Sequence, residues 1–465
     1  MTAFQPIARA LAPAALILTA APALAQDEPA AATFDTGRMI EIVEEEAGPG
    51  NFMGAVLVAH GDEPVLERTW GSANLEWDIP HTPDTKFRIG SVTKQFTSVA
   101  ALLLQQQGKL DLDAPIATYL EDTPEAWNAV SVRHLMRHTS GIPSFTQLEE
   151  FERAKYLPLS HDELIALFAD KPLEFAPGTS FAYSNSGYAL LSKIIENVSG
   201  QSLGEYWQAE IFDPLGMADT GVDVSAAILP KRASGYSRKG DGKTVMNADY
   251  AYMGTPWGAG AMVSTTGDLL KWQRGLFGGR LLDADHLAEY LTPSAHGRLA
   301  GDAYAHGVLI DTSEAGRFYW HDGGIEGFAA WLSHDPDRNV TVAVLANLNG
   351  GAASKIGEQL TMVAQGREVI LTSDRTVIDL PVKALAQYEG TYALSPDFRI
   401  AVFLEGDRLM TQATGQDAFE IFPEGADRFF LKVIDAQLRF ERGADGAITG
   451  ATLFQNGREF PATRE

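Results

Sequence analysis

The arrangement of strand-like and helix-like segments is the sequence feature that most limits the possible folds. Apolar runs typical of antiparallel strands occur at 54–59 and 65–70, and again at 317–321, 328–334 and 340–347. The long segment between these two groups is dominated by helical spacing of apolar residues. Strands at both ends of a helical region indicate one sheet that distant segments complete, with an all-helical subdomain inserted between them. We therefore expect an α+β fold in which helices flank an antiparallel sheet, with a cleft beside the helical subdomain.

The C-terminal region differs from the rest of the chain. From residue 384 to 465, short apolar runs alternate with turns that contain glycine and aspartate. This spacing is typical of a small antiparallel barrel or sandwich. The sequence thus predicts a main domain at 34–365, a linker at 366–383 and a small all-β barrel domain at 384–465.

The N-terminus has the pattern of a cleavable secretory signal. Residues 1–25 carry one charge, Arg9, followed by an apolar run that ends in Ala-Leu-Ala just before Gln26. A membrane anchor is the alternative, but the run is short and contains Pro13 and Pro22. The chain has no cysteine and so no disulfide, which fits a large-cored periplasmic protein better than a small secreted scaffold. We expect an exported protein with no membrane span in the mature chain.

Composition restricts the class of partner. The formal net charge of −25 disfavours nucleic acid and anionic membranes as partners. The ten histidines include no His-x-His or His-Glu-x-x-His pattern, so we expect neither a metal nor another cofactor. A small molecule or a peptide is the expected substrate, and peptidoglycan is a candidate partner.

The first chemical motif is the pair Ser91 and Lys94. Apolar residues at helical spacing follow it up to Gly108, so the pair falls in the first turn of a helix. Residues three apart share a helix face, which brings the lysine amine within reach of the serine hydroxyl. A buried neutral lysine can take the serine proton, and the free N–H groups of the helix start favour an oxyanion. The simpler alternative is that Ser91 is an N-cap and Lys94 a solvated residue.

The second motif is Tyr183-Ser184-Asn185, in a loop that leads into a helix at 188–198. A phenol held between Lys94 and a reacting atom can relay a proton, and a phenolate can act as a base. Asn185 offers both a donor and an acceptor for a substrate amide. Alternatively, Tyr183 fills the helix start and the asparagine caps it.

The third motif is His321-Asp322-Gly323-Gly324, at the end of a predicted strand. A cation at His321 would bind a substrate carboxylate, and the glycines would let a backbone N–H approach the oxyanion opposite Ser91. Lys355 belongs to a competing Lys-x-Gly segment, but that segment leads into a helical pattern. A structural histidine near a hairpin is the alternative role of His321.

With these three motifs in this order, the chain resembles the serine β-lactamase and penicillin-binding-protein superfamily, in particular its class C-like branch. The segments 135–141 and 258–268 are also similar to that family, and the resemblance covers nearly all of 53–347. It implies a β-lactamase/transpeptidase-like fold. The C-terminal region resembles, more weakly, the lipocalin-like domain often fused to such hydrolases.

The resemblance also implies roles for the motif residues. Ser91 would be the acylated nucleophile, Lys94 the activating base and Tyr183 the proton carrier, with substrate held by Asn185, His321 and Gly323. The oxyanion hole would consist of the N–H groups of Ser91 and Gly324. The expected reaction is a two-step acyl transfer, in which water finally releases the acyl group from the serine.

One departure from the family pattern bears on the substrate. Where β-lactamases of this branch have Lys-Thr-Gly, the chain has His-Asp-Gly at 321–323, as in D-aminopeptidase, esterase and DD-peptidase-like members. A histidine of ordinary pKa, about 6.5, is mostly neutral at pH 7, so recognition of a β-lactam carboxylate should be weaker. The sequence therefore favours cleavage of D-amino-acyl peptides, amides or esters, with a class C-type β-lactamase or a DD-carboxypeptidase as the alternative.

Two further alternatives concern the chemistry itself. Gly200-Gln201-Ser202-Leu203-Gly204 matches the nucleophile elbow of α/β-hydrolases, but that elbow follows a strand, and a helix is predicted here. A catalytically idle protein that binds peptidoglycan or a peptide is the hypothesis from another class. The complete set of Ser91, Lys94 and Tyr183 argues against it.

Overall fold

The structure is a computed structural model that describes residues 34–465, except 241, 243, 314, 315, 434, 435, 456 and 457. The predicted signal peptide at 1–25 lies outside the described residues. Within the described ranges, no helix combines the length and the apolar content that crossing a membrane requires.

The helices lie almost entirely in the region before residue 365. Short 3₁₀ turns occur between them, the most important being Gly90–Val92 and Trp257–Ala259. The α-helices are α1 Thr36–Ala47, α2 Thr93–Gln106, α3 Val132–Met136, α4 Phe151–Ala154, α5 His161–Ala166, α6 Asn185–Ser199, α7 Leu203–Trp207, α8 Asp213–Leu215, α9 Thr266–Phe277, α10 Ala284–Tyr290, α11 Ala352–Ala364 and α12 Val382–Leu385.

The strands fall into the two groups that the sequence predicts, with several short pairs between them. Those before residue 365 are β1 Gly54–His60, β2 Glu63–Trp70, β3 Ser72–Asn74, β4 Ile79–Pro80, β5 Phe87–Arg88, β6 Gly221–Val222, β7 Tyr236–Arg238, β8 Val245–Asn247, β9 Met262–Ser264, β10 Arg298–Leu299, β11 Asp302–Tyr304, β12 Leu309–Ser313, β13 Gly316–Ile325, β14 Phe328–Asp335 and β15 Val340–Ala346. Those after it are β16 Gly390–Ser395, β17 Phe398–Glu405, β18 Arg408–Ala413, β19 Ala418–Gly425, β20 Arg428–Leu431, β21 Ala436–Arg442, β22 Ile448–Gln455 and β23 Arg458–Arg464.

The main sheet is antiparallel and is completed by distant segments. Its order is β10-β11-β12-β13-β14-β15-β1-β2 among the described residues. The N-terminal hairpin joins the C-terminal strands through β1 and β15, with Gly54 opposite Ala346 and His60 opposite Val340. The predicted α+β fold, with an antiparallel sheet, flanking helices and a helical subdomain, is therefore confirmed.

Each face of the main sheet carries its own hydrophobic core. Alternate residues of β14 point to opposite faces: Phe328, Ala330 and Leu332 pack in the core that includes α2 and α6. Ala329 and Trp331 pack in a second core, beneath α1 and α11. The sheet thus separates the helical subdomain from the two terminal helices of this region.

Helix α2 lies at the centre of the larger core. Every side chain from Thr93 to Leu104 is buried, so the helix is enclosed on all sides rather than amphipathic. Phe96 stacks on Trp272 of α9, with ring centroids 3.9 Å apart. Such enclosure fixes the start of α2 rigidly, and the candidate nucleophile lies just before that start.

Some helical predictions were too long. The sequence predicts a helical piece at 111–120, but the structure has only a 3₁₀ turn at Ile116–Thr118. Of the helix predicted at 130–139, only the 5 residues of α3 are helical, which is about one and a half turns. The two segments instead bond to each other, with the Ile116 N–H donating to the Val130 carbonyl at 2.9 Å and the Arg133 N–H to the Leu112 carbonyl at 2.8 Å.

The C-terminal strands β16 to β23 form a closed barrel. The sequence predicts seven of its strands but misses β23, which pairs with β22 and with β16 and so closes the ring. Its alternating pattern is interrupted by Pro461, which weakens the strand signal. Closure removes the exposed edges that an open sandwich would have.

The predicted linker at 366–383 contacts both neighbouring regions. Val369 and Leu371 are buried in the core beneath α1, where Arg38 forms an ion pair with Asp374. Farther along, Ile378 donates its backbone N–H to a barrel carbonyl at 2.9 Å. These contacts restrict the movement of the barrel relative to the rest of the chain.

Candidate active site

Ser91 lies in the 3₁₀ turn Gly90–Val92, which runs directly into α2. The turn requires glycine at position 90, where φ is +50°. A Cβ there would also lie only 2.8 Å from the backbone nitrogen of Gly324. The nucleophile turn and the end of β13 therefore touch through their backbones, and Ser91 lies at that contact.

Lys94 is buried directly beside Ser91. Its Nζ lies 3.0 Å from the Ser91 Oγ and 2.8 Å from the carbonyl oxygen of Ala259. Burial lowers the pKa of the amine from 10.5 to about 7, against a smaller opposing effect of the Asp322 carboxylate. A substantial fraction of Lys94 is therefore neutral at pH 7, and the neutral amine can accept the serine proton.

The 3₁₀ turn Trp257–Ala259 supplies the second contact of Lys94. Trp257 is buried and has a φ of +44°, a conformation that few non-glycine residues adopt. Thr97 donates to the carbonyl oxygen of Gly258 at 2.6 Å, which fixes the turn against α2. The Ala259 carbonyl is thereby aimed at the lysine amine.

Tyr183 faces Lys94 from the helical subdomain. The Nζ of Lys94 lies 4.9 Å from the centre of the Tyr183 ring. Burial raises the pKa of the phenol well above its usual value of 10, although a hydrogen bond with Ser91 acts in the opposite direction. The phenol is therefore neutral at pH 7, which favours proton relay over the phenolate base that the sequence also allowed.

Asn185 is the first residue of α6 and does not cap it. Its Nδ2 donates to the Thr146 hydroxyl at 3.0 Å, and its backbone N–H donates to the Ser144 hydroxyl at 3.1 Å. The side chain is partly exposed. The segment around Ser144 thus orients the amide, a link that sequence reasoning missed because the two segments are about forty residues apart.

His321 lies on β13 and differs from the expected cation. Its side chain is only 1% exposed. Its Nδ1–H donates to the backbone carbonyl of Asp322 at 2.5 Å. Burial lowers the pKa of the ring to about 4, although the Asp322 carboxylate opposes this. The ring is therefore neutral near pH 7, in contrast to the cation considered for this position.

A buried hydrogen-bonded chain connects His321 to the tyrosine loop. His138 accepts the backbone N–H of Ser184 at its Nδ1 (3.1 Å), so its neutral ring carries the proton on Nε2. That N–H donates to the Tyr304 hydroxyl at 3.0 Å. The hydroxyl in turn lies 3.4 Å from the unprotonated Nε2 of His321. The chain thus joins the two sides of the cleft.

Sequence reasoning did not assign Tyr304 to the site and placed His138 only in a family-like segment. Tyr304 lies on the short strand β11, fully buried. Its own neighbours in the sequence carry no chemical motif. The adjacent Ala303 and Ala305 give no local signal, and the pairing of β11 with β12 and of β12 with β13 brings the tyrosine to His321.

Gly323 and Gly324 let β13 approach the nucleophile turn. A Cβ on Gly323 would lie 2.0 Å from the carbonyl oxygen of Ile89 and 3.1 Å from the backbone nitrogen of Ser91. A Cβ on Gly324 would meet no atom within 4 Å, so this residue borders open space. The backbones of Ser91 and Gly324 are therefore close neighbours, as a shared oxyanion site requires.

The competing motifs lie in other environments. Lys355 is within α11, and its amine pairs with Glu45 and Glu46 of α1. Gly200 ends α6 in the left-handed conformation, and Ser202 caps α7 through the backbone of Glu205. Lys355 thus links α11 to α1, and Ser202 has the role of a helix cap.

Comparisons with known proteins agree with this geometry. Residues 41–365 match the family model described as Beta-lactamase. Residues 374–463 match a domain of unknown function, DUF3471. The two matches together span almost the whole of the described chain.

Three relatives illustrate the similarity. Penicillin-binding protein 4* of Bacillus subtilis is 26% identical over 432 residues, which is 89% of this chain and 95% of the relative. The octameric penicillin-binding protein homologue from Pyrococcus abyssi has a TM-score of 0.67 at 25% identity and covers 92% of this chain and 100% of its own. The D-amino acid amidase from Ochrobactrum anthropi SV3 has a TM-score of 0.61 at 26% identity, covering 71% and 97%.

Proposed function

The chain belongs to the β-lactamase family and is a serine hydrolase, and on that premise we propose that it cleaves D-amino-acyl peptides, amides or esters through an acyl-enzyme on Ser91. The observation that carries the proposal is Lys94, whose neutral amine lies 3.0 Å from the serine Oγ. The D-amino acid amidase among the related structures supports amide cleavage and D-stereochemistry.

The first step forms the acyl-enzyme. The Ser91 oxygen attacks the substrate carbonyl as its proton passes to the neutral Lys94 amine. The negative charge on the carbonyl oxygen is stabilised by the N–H groups of Ser91 and Gly324. The bond to the leaving group then breaks, and that group takes a proton from Lys94 through the neutral phenol of Tyr183.

The second step releases the acyl group. Water attacks the ester carbonyl of the acyl-serine, loses a proton to the Tyr183 and Lys94 pair, and the carboxylic acid leaves as the serine oxygen regains its proton. Asn185 holds the acyl amide by hydrogen bonding. Because both steps use the same groups, Lys94 returns to its neutral form after each turnover.

His321 favours this substrate class over β-lactams. Its ring is neutral and buried, so it cannot pair with the carboxylate that β-lactams carry. The similarity to penicillin-binding protein 4* makes acylation by penicillin the second candidate function. Release of the penicilloyl group would then be slow, since nothing at position 321 orients the drug.

Export and domain organisation complete the proposal. A signal peptide at 1–25 would deliver the protein to the periplasm, where peptides rich in D-amino acids occur in peptidoglycan. The hydrolase domain would be 34–365 and the linker 366–383, with a separate barrel domain at 384–465.

The test compares two serine variants. We expect Ser91→Ala to abolish hydrolysis of p-nitrophenyl butyrate and of D-phenylalanine amide, measured by released p-nitrophenol and ammonia. Ser202→Ala, which removes only the cap of α7, should leave both rates within about twofold of the wild type, at a cost of ~1 kcal/mol in stability. Loss of activity in Ser202→Ala instead of Ser91→Ala would refute the assignment.

The substrate class needs its own measurements. Hydrolysis of D-phenylalanine amide should exceed that of the L-isomer by at least tenfold, and equal rates would contradict the stereochemical part of the proposal. Intact mass after incubation with benzylpenicillin distinguishes the second candidate. A lasting Ser91-dependent adduct together with inert D-amides would replace the proposed function by that of a penicillin-binding peptidase.

A further inference from the structure

A charged cavity lies beside β5, the short strand that precedes the nucleophile turn. It has a volume of about 270 Å³, and its lining includes Arg88, Arg232, Ser234, Asn247 and Phe328. Arg88 precedes Ser91 by three residues, so their Cα atoms are at most ~11 Å apart. The cavity is therefore close to the candidate active site along the chain.

Phe328 places the cavity on the active-site side of the main sheet. Its ring belongs to the core that includes α2, and the Arg88 guanidinium lies 5.4 Å from its centre. On β13 and β14, Phe328 pairs with Ile325, the residue that follows Gly324. The cavity wall thus continues from the backbone that would hold the oxyanion.

The two arginines share one fully buried carboxylate. Asp223, whose side chain is 0% exposed, accepts from the Arg88 Nε at 2.7 Å and from the Arg232 Nη1 at 2.5 Å. Two guanidinium groups and one carboxylate leave a formal charge of +1. Within the described residues, this is the only side-chain hydrogen bond of either arginine, and both residues line the cavity.

The loop that carries Leu75, Glu76 and Trp77 is attached to residues in and next to the cavity wall. Asn74 donates to the Ser234 hydroxyl at 2.9 Å, and the backbone N–H of Leu75 donates to the Tyr236 hydroxyl at 2.7 Å. This attachment holds Leu75 and Trp77 in place although they are 44% and 80% exposed. The Glu76 carboxylate of this loop accepts from the Tyr236 hydroxyl at 2.5 Å, whereas the paired guanidinium groups of the cavity wall suit a carboxylate.

The His321 side chain is only 1% exposed and bonds to the Asp322 carbonyl, so a substrate carboxylate would need a cation elsewhere. We propose that the pocket of Arg88 and Arg232 is an anion subsite of the active site. It binds a carboxylate of the substrate, on one side of the bond that is cleaved. The carboxylate would take a guanidinium edge that Asp223 leaves free, in the planar geometry that arginine offers. This inference rests on the proposed acyl transfer at Ser91.

The test uses two matched pairs of esters. In one pair the carboxylate is in the acyl part: p-nitrophenyl hydrogen glutarate and its methyl-capped analogue. In the other pair it is in the leaving group: m-carboxyphenyl butyrate and its methyl ester. We expect kcat/KM for the charged member of one pair to exceed that for the neutral member by about tenfold or more, since charge-assisted hydrogen bonds are strong. The preferred pair shows on which side of the scissile bond the subsite acts.

Variants of two adjacent residues distinguish carboxylate binding in the cavity from a general effect of surface charge. Arg232→Gln should remove most of the preference for the charged ester, and Arg232→Lys should restore part of it. Lys231→Gln removes the same charge from an exposed side chain that pairs with Asp84 outside the cavity, and should keep the preference. A preference that is absent in the wild type, or lost equally in Lys231→Gln, would overturn the proposal.

Failure of the subsite and failure of the proposed function give different results. Ser91-dependent hydrolysis of the neutral esters tests the acyl transfer, and only the ratio of charged to neutral rates tests the cavity. If none of the four esters is hydrolysed, the proposed function fails and the inference fails with it. If the charged and neutral members of each pair are hydrolysed equally fast, only the subsite is refuted.

Discussion

The start of α2 and the end of β13 both bury a basic side chain, but burial has opposite consequences for chemistry there. At the start of α2, burial brings the pKa of Lys94 to about 7, so the amine changes its charge near physiological pH. At the end of β13, burial lowers the pKa of His321 to about 4, so the ring stays neutral. Desolvation disfavours the charged form in both cases.

The difference lies in the intrinsic pKa values of the two groups. A lysine begins at 10.5 and a histidine at 6.5, so a similar environment creates a reactive base from one and an inert ring from the other. The hydrogen-bond partners of the two side chains differ as well. Lys94 contacts the nucleophile, whereas His321 bonds to the backbone carbonyl of Asp322 and to the buried Tyr304.

The largest effect should come from removing the base. We expect Lys94→Ala to lower kcat/KM for a reporter ester by about 10²–10⁴-fold, the usual contribution of a general base. Lys355→Ala is the matched control, because it removes an amine that pairs with α1, and its kcat/KM should stay within about twofold of the wild type. Normal turnover by Lys94→Ala would show that Lys94 is not the general base.

The second effect concerns the tyrosine that connects the two histidines. Tyr304→Phe leaves the Nε2–H of His138 without its acceptor in a buried place, so the free energy of unfolding should fall by ~1–3 kcal/mol. In Tyr290→Phe the change removes a buried hydroxyl that has no hydrogen-bond partner in the described chain. That variant should be as stable as the wild type or more so. Urea denaturation measures both, and equal losses would show that the chain is not stabilising.

The third effect is the pH dependence of acylation. Only the neutral form of Lys94 can accept the serine proton, and its pKa is about 7. The value of kcat/KM should therefore fall by about tenfold per unit below pH 7 and level off above about pH 8. His321 should add no second ionisation between pH 5 and 8, because its pKa is about 4.

Asp322 provides a finer test of the same assignment. Its carboxylate raises the pKa of Lys94, so Asp322→Asn should move the acidic limb of the kcat/KM profile to lower pH. A limb that does not move in this variant would mean that another group controls the rate. A profile without any limb near pH 7 would contradict the role of Lys94.

Much of the fold was predictable because its signals are local. The hairpin of β1 and β2, helix α6 and the strands β13 to β15 each have the periodicity of their own type, and turns mark their ends. The missed strand β23 and the overlong helix at 111–120 show the limit. At both places backbone pairing with another segment, which the sequence does not display, accompanies the observed structure.

Ser91 and Lys94 could be paired from the sequence alone, since a helix brings residues three apart onto one face. Their order relative to Tyr183 and His321 was enough to indicate the family. The sequence also showed that position 321 lacks the lysine of β-lactamases, although it suggested a mostly neutral ring only from the ordinary pKa of histidine.

Tertiary structure alone decided which of these groups are charged and what connects them. The degree of burial sets the pKa of Lys94 and His321, and burial depends on segments far away in the chain. The contacts of Tyr304 with His138 and of Asp223 with Arg88 likewise join residues that are 166 and 135 positions apart. The sequence alone determines which residues are close in the chain. Desolvation and long-range pairing arise only when the sheet and the helical subdomain pack together.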